Sequence, residues 1–149
     1  MSETSWARAW TAGMSGAMVL TAVHQAAQSF TTDAPRMDVV GRRAITAGME
    51  AAGLDAPDEP TLQRWALCGD LAANSAYYSL VACGKRPAVW RRGLMLGLAA
   101  GIGALVLPQR MGLGNPPRSH SLANQLMTIG WYTLGGLTAA ATATAMKRT

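Results

Sequence analysis

GLMLGLAAGIGALVLPQ, residues 93–109, is the stretch that decides the fold. It holds no Asp, Glu, Lys or Arg, and its one polar side chain is Gln109. A helix on a water-soluble domain shows a polar face that returns every turn or two, and this stretch has none. Gly93, Gly97 and Gly101 recur four residues apart, so they share one helix face and let a second backbone come close. Val89 and Trp90, just before Arg91 and Arg92, extend the expected helix to residues 88–108, with Pro108 ending it.

Three more uncharged or nearly uncharged runs lie on either side. Ala9 to Thr32 has His24 as its one titratable group, Trp65 to Gly84 is interrupted by Asp70 alone, and Ser119 to Met146 is the longest. A bilayer core about 30 Å thick takes roughly 20 helical residues. The expected architecture is a single all-α domain over residues 1–149. It is an integral membrane bundle of four transmembrane helices near 6–31, 62–84, 88–108 and 119–146. A soluble bundle of Ala-rich helices is the competing reading, and the missing polar faces argue against it.

Composition agrees. Half of the 149 residues are apolar and 14% are charged, against about 25% in soluble domains. Low charge and high apolar content exclude a disordered chain. Two cysteines cannot staple a chain of this length. Cys68 and Cys83 are about 22 Å apart along one helix, beyond disulfide reach, and are expected to be small core residues. The first apolar run follows a single basic residue, Arg8, and exceeds the roughly 7–15 residues of a cleavable signal core, so it is expected to be retained.

The segment from Thr31 to Pro60 is too long for a turn. Asp33 is a good N-cap, Pro35 suits a first turn, and Met37, Val40, Ala44 and Ala47 or Gly48 recur at helical spacing. An interfacial helix over 35–52, ended by Gly53, is expected, with residues 55–60 (DAPDEP) as a linker. Arg36 and Asp38 read as a local ion pair at its start. Gly112, Gly114, Pro116 and Pro117 make the last loop irregular, and Asn115 and Arg118 there are candidate contacts for a partner.

Basic groups cluster at helix ends. The short segment 84–92 carries four and no acid, while the long first loop carries six acids. Positive-inside bias then places both termini in the cytoplasm. The net charge of +5 reads as topology, and nucleic-acid binding is not expected because no basic face forms.

Ionisable groups inside a membrane are costly and usually face the protein interior or water. Antiparallel helices bring His24, Asp70, Asn124 and Gln125 to one depth, about 8–12 Å below the face that carries the two polar loops. Asn74 and Tyr77 continue the Asp70 stripe, and Thr21 and Gln28 flank His24. This layer is either a polar pocket in which His24 and Asp70 handle a proton or ligand, or a hydrogen-bond cluster fixing helix register.

The chain has no Ser-His-Asp, HExxH, P-loop or Cys/His metal spacing, so no catalytic residue, metal or cofactor is expected. His24 and His120 need not converge. Three function classes stand. The first is an accessory or scaffolding subunit that binds other membrane proteins or lipid, alone or as a homo-oligomer. The second is a small transporter or channel component for protons or a polar solute. The third is a membrane enzyme acting on a lipid or quinone. The stretches HQAAQ and APRMDVVGRRA within residues 24–44, with GDLAANSAYYSL at 69–80, resemble an uncharacterised family of small four-helix bacterial inner-membrane proteins. That resemblance implies a location and no activity.

Overall fold

A computed structural model describes residues 3–31, 34–83, 86–117 and 119–146. Among them are five α-helices and no strand: α1 (Glu3–Phe30), α2 (Met37–Ala51), α3 (Glu59–Ser79), α4 (Val89–Arg110) and α5 (Leu122–Ala145). Short 3-10 turns occupy Leu80–Ala82 and Arg86–Ala88.

Helix ends differ from expectation for local reasons. α3 begins three residues early because Pro60 sits in its first turn, where a missing N–H costs no hydrogen bond. α4 is not ended by Pro108, which lies buried inside its last turn. The stop is Gly112, at φ +76°, whose N–H donates to the Gln109 carbonyl while the Leu113 N–H reaches the Pro108 carbonyl. α5 starts at Leu122 rather than 119, since Ser121 is the residue whose hydroxyl accepts from the Asn124 N–H at 3.1 Å. α2 is ended by Gly53 at φ +72°. Pro35 lies just before it, and the expected cap, Asp33, is outside the described residues.

α1 packs between α3 and α5, α4 packs on α5, and α2 lies across α3. The contacts are close because the facing residues are small. A Cβ added at Gly93 would stand 2.6 Å from the Gly136 carbonyl oxygen. At Gly97 it would stand 2.6 Å from the Thr133 Cα, and at Gly101 2.6 Å from the Ile129 Cα. The Gly93, Gly97 and Gly101 stripe is thus spent inside the chain, against α5. Gly13 meets α3 at the Ser75 carbonyl, and Gly16 meets α5 at the Gly135 carbonyl. The buried core is mostly Ala, with Leu20, Tyr78, Val81, Val89 and Tyr132. Tyr78 donates its hydroxyl hydrogen to the Tyr132 carbonyl at 2.7 Å, and Ser15 to Thr142 at 2.8 Å.

The large apolar side chains point the other way. Trp6, Trp10, Met14 and Met18 form one exposed stripe along α1, and Trp90, Leu94, Met95, Ile102, Val106 and Leu107 are exposed on α4. Among the described residues, α4 is the one helix long and apolar enough to cross a membrane by length and composition, and 22% of its apolar window is buried. Four such helices are therefore not established. α1, α3 and α5 fall short because Ala, Gly, Thr and inward polar groups dilute their apolar content. Cys68 is exposed rather than in the core, and Cys83 is half-buried with its thiol 3.7 Å from the Ser79 carbonyl.

Candidate functional site

On α1, Thr21, His24, Gln25 and Gln28 follow one another at three, four and seven residues, so they share one face. That face looks onto α3, which presents Gln63, Ala66, Leu67 and Asp70, and onto α2, which folds back over both. Between them lies a cavity of about 370 Å³, lined also by Asp38, Val40, Ala44 and Ile45 of α2 and by Tyr132 of α5. Each of the three helices contributes polar groups: Thr21, His24, Gln25 and Gln28 from α1, Asp38 from α2, and Gln63 and Asp70 from α3.

His24 is 7% exposed. Its ring stands edge-on to Trp131, centroids 5.0 Å apart, and to Tyr132 at 5.8 Å. The His24 Nε2 and the Thr21 hydroxyl oxygen are both buried without a hydrogen-bond partner among the described residues. Asp70 accepts one hydrogen bond, from the Asn74 amide at 2.9 Å, and has no cation within ion-pair distance among the described residues. His24 and Asp70 therefore open onto the same space without bonding to each other.

Asp38 is held differently. The Arg36 guanidinium grips both its oxygens at 2.9 Å, Arg42 stands 3.5 Å away, and the Gln28 amide reaches it at 3.5 Å. Burial alone pushes this carboxyl up, but the Arg36 hydrogen bonds and the charges of Arg36 and Arg42 outweigh it and hold the carboxyl below its ordinary range. Asp38 in turn pushes Arg36 above its ordinary range. Arg42 also donates to Glu59 at 2.7 Å, which ties α2 to the start of α3. Arg43 donates to the Leu113 and Asn115 backbone carbonyls, both at 3.1 Å, which ties α2 to the last loop.

The expected polar layer thus divides. His24, Asp70 and, through its bond to Asp70, Asn74 gather at the cavity. Tyr77 turns away and donates to the Leu96 carbonyl of α4 at 3.0 Å. Gln125 donates to the Ser119 carbonyl at 2.8 Å, and the Asn124 carbonyl accepts from the Thr128 hydroxyl. Neither residue lines the cavity. Arg36 and Asp38 do form the expected pair, but at the cavity rather than on an open loop. Arg118 is outside the described residues, and His120 is exposed. No group of His, Cys, Asp and Glu suited to a metal ion occurs among the described residues. Sequence reasoning missed Tyr132, Gln63 and the whole α2 wall. The shared spacing of Thr21, His24 and Gln28 was the available signal for the α1 side.

Tyr132 on the lining is buried, whereas Gln25 of α1 and Leu67, Gly69 and Ala73 of α3 are exposed, so the cavity is open along the α1 and α3 edge. The arrangement can hold a guest and its hydrogen bonds. Family models, curated proteins and solved structures contain no match to this chain, so the reading rests on its own residues.

Proposed function

We propose that the chain is a four-span protein of the bacterial inner membrane, with both termini cytoplasmic. It acts as an accessory subunit that binds lipid, or lipid together with other membrane proteins. The observation that carries this is the inverted build of the bundle. Beside Leu20, Leu62, Tyr78, Val81, Val89 and Tyr132, the interior is built of Gly, Ala, Ser, Thr, Asn and His, while Trp6, Trp10, Trp65, Trp90 and many Met and Leu side chains are exposed. A water-soluble monomer rarely exposes apolar patches beyond a few hundred Å², whereas lipid-facing surfaces take large apolar side chains and leave small ones to helix contacts.

Aromatic placement supports the same reading. Exposed Trp6, Trp10 and Trp90 stand at one end of the bundle, and exposed Trp65 and Phe30 at the other. Along α1, Trp6 or Trp10 to Phe30 is about 30–36 Å of helix, the thickness that interfacial aromatics flank. α2, with its ion pairs to Glu59 and Asp38, then lies at the outer interface over the cavity mouth. His24 and Asp70 open onto one space without bonding to each other, which supports binding over acid–base catalysis.

Native mass spectrometry of protein released in mild detergent tests this. Retained lipid, with or without a stoichiometric protein partner, is the expected result. A bare monomer that carries neither overturns the reading.

A further inference from the structure

Hydrogen-bonding capacity inside the cavity is lopsided. Arg36 is already bonded to Asp38, and Arg42 to Glu59 and Asp38. An anionic guest therefore finds no cation turned toward it that is not already bound to a carboxylate. The lining amides Gln25, Gln28 and Gln63 are neutral, so the formal charge that faces the guest is that of the two carboxylates, Asp38 and Asp70. Asp70 has only the Asn74 amide to balance its charge. His24 Nε2 and the Thr21 hydroxyl oxygen are buried with no partner among the described residues. With its proton on Nδ1, His24 offers a lone pair at Nε2. The Tyr132 ring closes the far side, and an aromatic face attracts cations.

From this we propose that the cavity is a binding site for the primary ammonium head of an amphiphile. The claim deepens the lipid-binding reading above and rests on it. The ammonium donates to the Asp70 carboxylate, the lining charge that no cation holds among the described residues, and small turns of the Thr21 and His24 side chains bring their covered acceptors to its other N–H donors. Its tail leaves through the open edge past Leu67 and Ala73, where α3 faces the bilayer. A volume of about 370 Å³ is at the small end of ligand cavities and suits a head group rather than a whole lipid. The ammonium has two sources: an aminophospholipid of the surrounding bilayer, or a free long-chain amine.

The test uses the full chain in nanodiscs made from equal parts phosphatidylethanolamine and phosphatidylglycerol with identical tails, followed by native mass spectrometry. Wild type is expected to keep phosphatidylethanolamine over phosphatidylglycerol by about tenfold, the ratio that one charge-assisted hydrogen bond gives. Asp70→Asn is close to isosteric and should bring that ratio near one. Thr21→Val, which keeps shape, should lower it severalfold. Titration with dodecylammonium, with dodecanol as the uncharged control, identifies the source. Displacement of phosphatidylethanolamine by the amine but not the alcohol supports a lipid occupant. Saturable amine binding in wild type, lost in Asp70→Asn and with no phosphatidylethanolamine retained, supports a free amine. Equal retention of the two lipids together with no amine preference over the alcohol overturns the proposal. So does a preference unchanged in both Asp70→Asn and Thr21→Val proteins that melt as wild type does. Lipid retained with neither a head-group preference nor an amine preference sinks this inference alone, whereas a lipid-free, partner-free monomer sinks the binding reading beneath it.

Discussion

Substituting Gly97 by Ala separates the two effects that a methyl group has in a helix. In an exposed helix the change helps by up to about 1 kcal/mol, because Ala is the better helix former. At Gly97 the new Cβ would stand 2.6 Å from the Thr133 Cα and 2.9 Å from the Tyr132 carbonyl oxygen. Both are backbone atoms of α5, so no side chain can rotate away. Restoring an ordinary contact means moving the α4 and α5 axes apart by about 1 Å, which forfeits a quarter to a half of the dispersion energy of the atoms lining the seam. Overpacking of this kind costs about 1–3 kcal/mol. Gly130→Ala is the control, since nothing lies within 4 Å of a Cβ there. The difference between the two substitutions removes the propensity gain and leaves the clash. We expect Gly97→Ala to be about 1–3 kcal/mol less stable than Gly130→Ala, or roughly 5- to 150-fold in the unfolding equilibrium. Reversible denaturation in mixed micelles, followed by far-UV circular dichroism, measures it. Equal stability of the two variants would refute the claim that α4 and α5 touch backbone to backbone in one chain.

Tyr78→Phe removes a buried 2.7 Å bond to the Tyr132 carbonyl while keeping the ring against Gly135, so a loss of about 1–2 kcal/mol in the same denaturation assay is expected. Cys68 is exposed yet about 14 Å into α3, so it should react with a membrane-permeant maleimide and resist a charged one in sealed vesicles; rapid labelling by the charged reagent argues against a bilayer around α3. Asp38 has a lowered folded-state pKa, so the stability it lends is present above the ordinary carboxylate range and is lost as pH falls through that lowered value. Hydrogen exchange of α2 should accelerate on acidification below the ordinary carboxylate range, and Asp38→Asn should abolish that acid-dependent step. In bilayers of brominated lipid, Trp6, Trp10, Trp65 and Trp90 should be quenched while Trp131, half-buried beside His24, is shielded.

Depth was legible in the sequence and azimuth was not. Counting residues at 1.5 Å each puts His24 and Asp70 at one height, and both line one cavity. The same count puts Asn124 and Gln125 there, but height does not say which way a helix is turned. Tyr77 and Tyr78 show the difference. They are neighbours about 100° apart on α3, and one reaches α4 while the other fills the core against α5. The Gly93, Gly97 and Gly101 face was readable because a stripe of small residues needs a backbone opposite it. The partner helix was not readable from the stripe alone. The α2 wall was invisible because it depends on contacts far along the chain, Arg42 to Glu59 and Arg43 to the loop before α5, that no local pattern encodes.

The place of α1 between α3 and α5 has a consequence for synthesis. α1 leaves the ribosome before α5 and cannot complete its contacts until α5 arrives, because Gly16 and Ser15 meet α5. During the intervening residues, the α5-facing side of α1 is an open small-residue seam, able to accept any helix with a matching face. A chain stalled before residue 122 would therefore expose the kind of surface by which membrane quality control recognises an orphan. α5 therefore does more than widen the bundle, since its arrival closes the seam that marks α1 as unpaired.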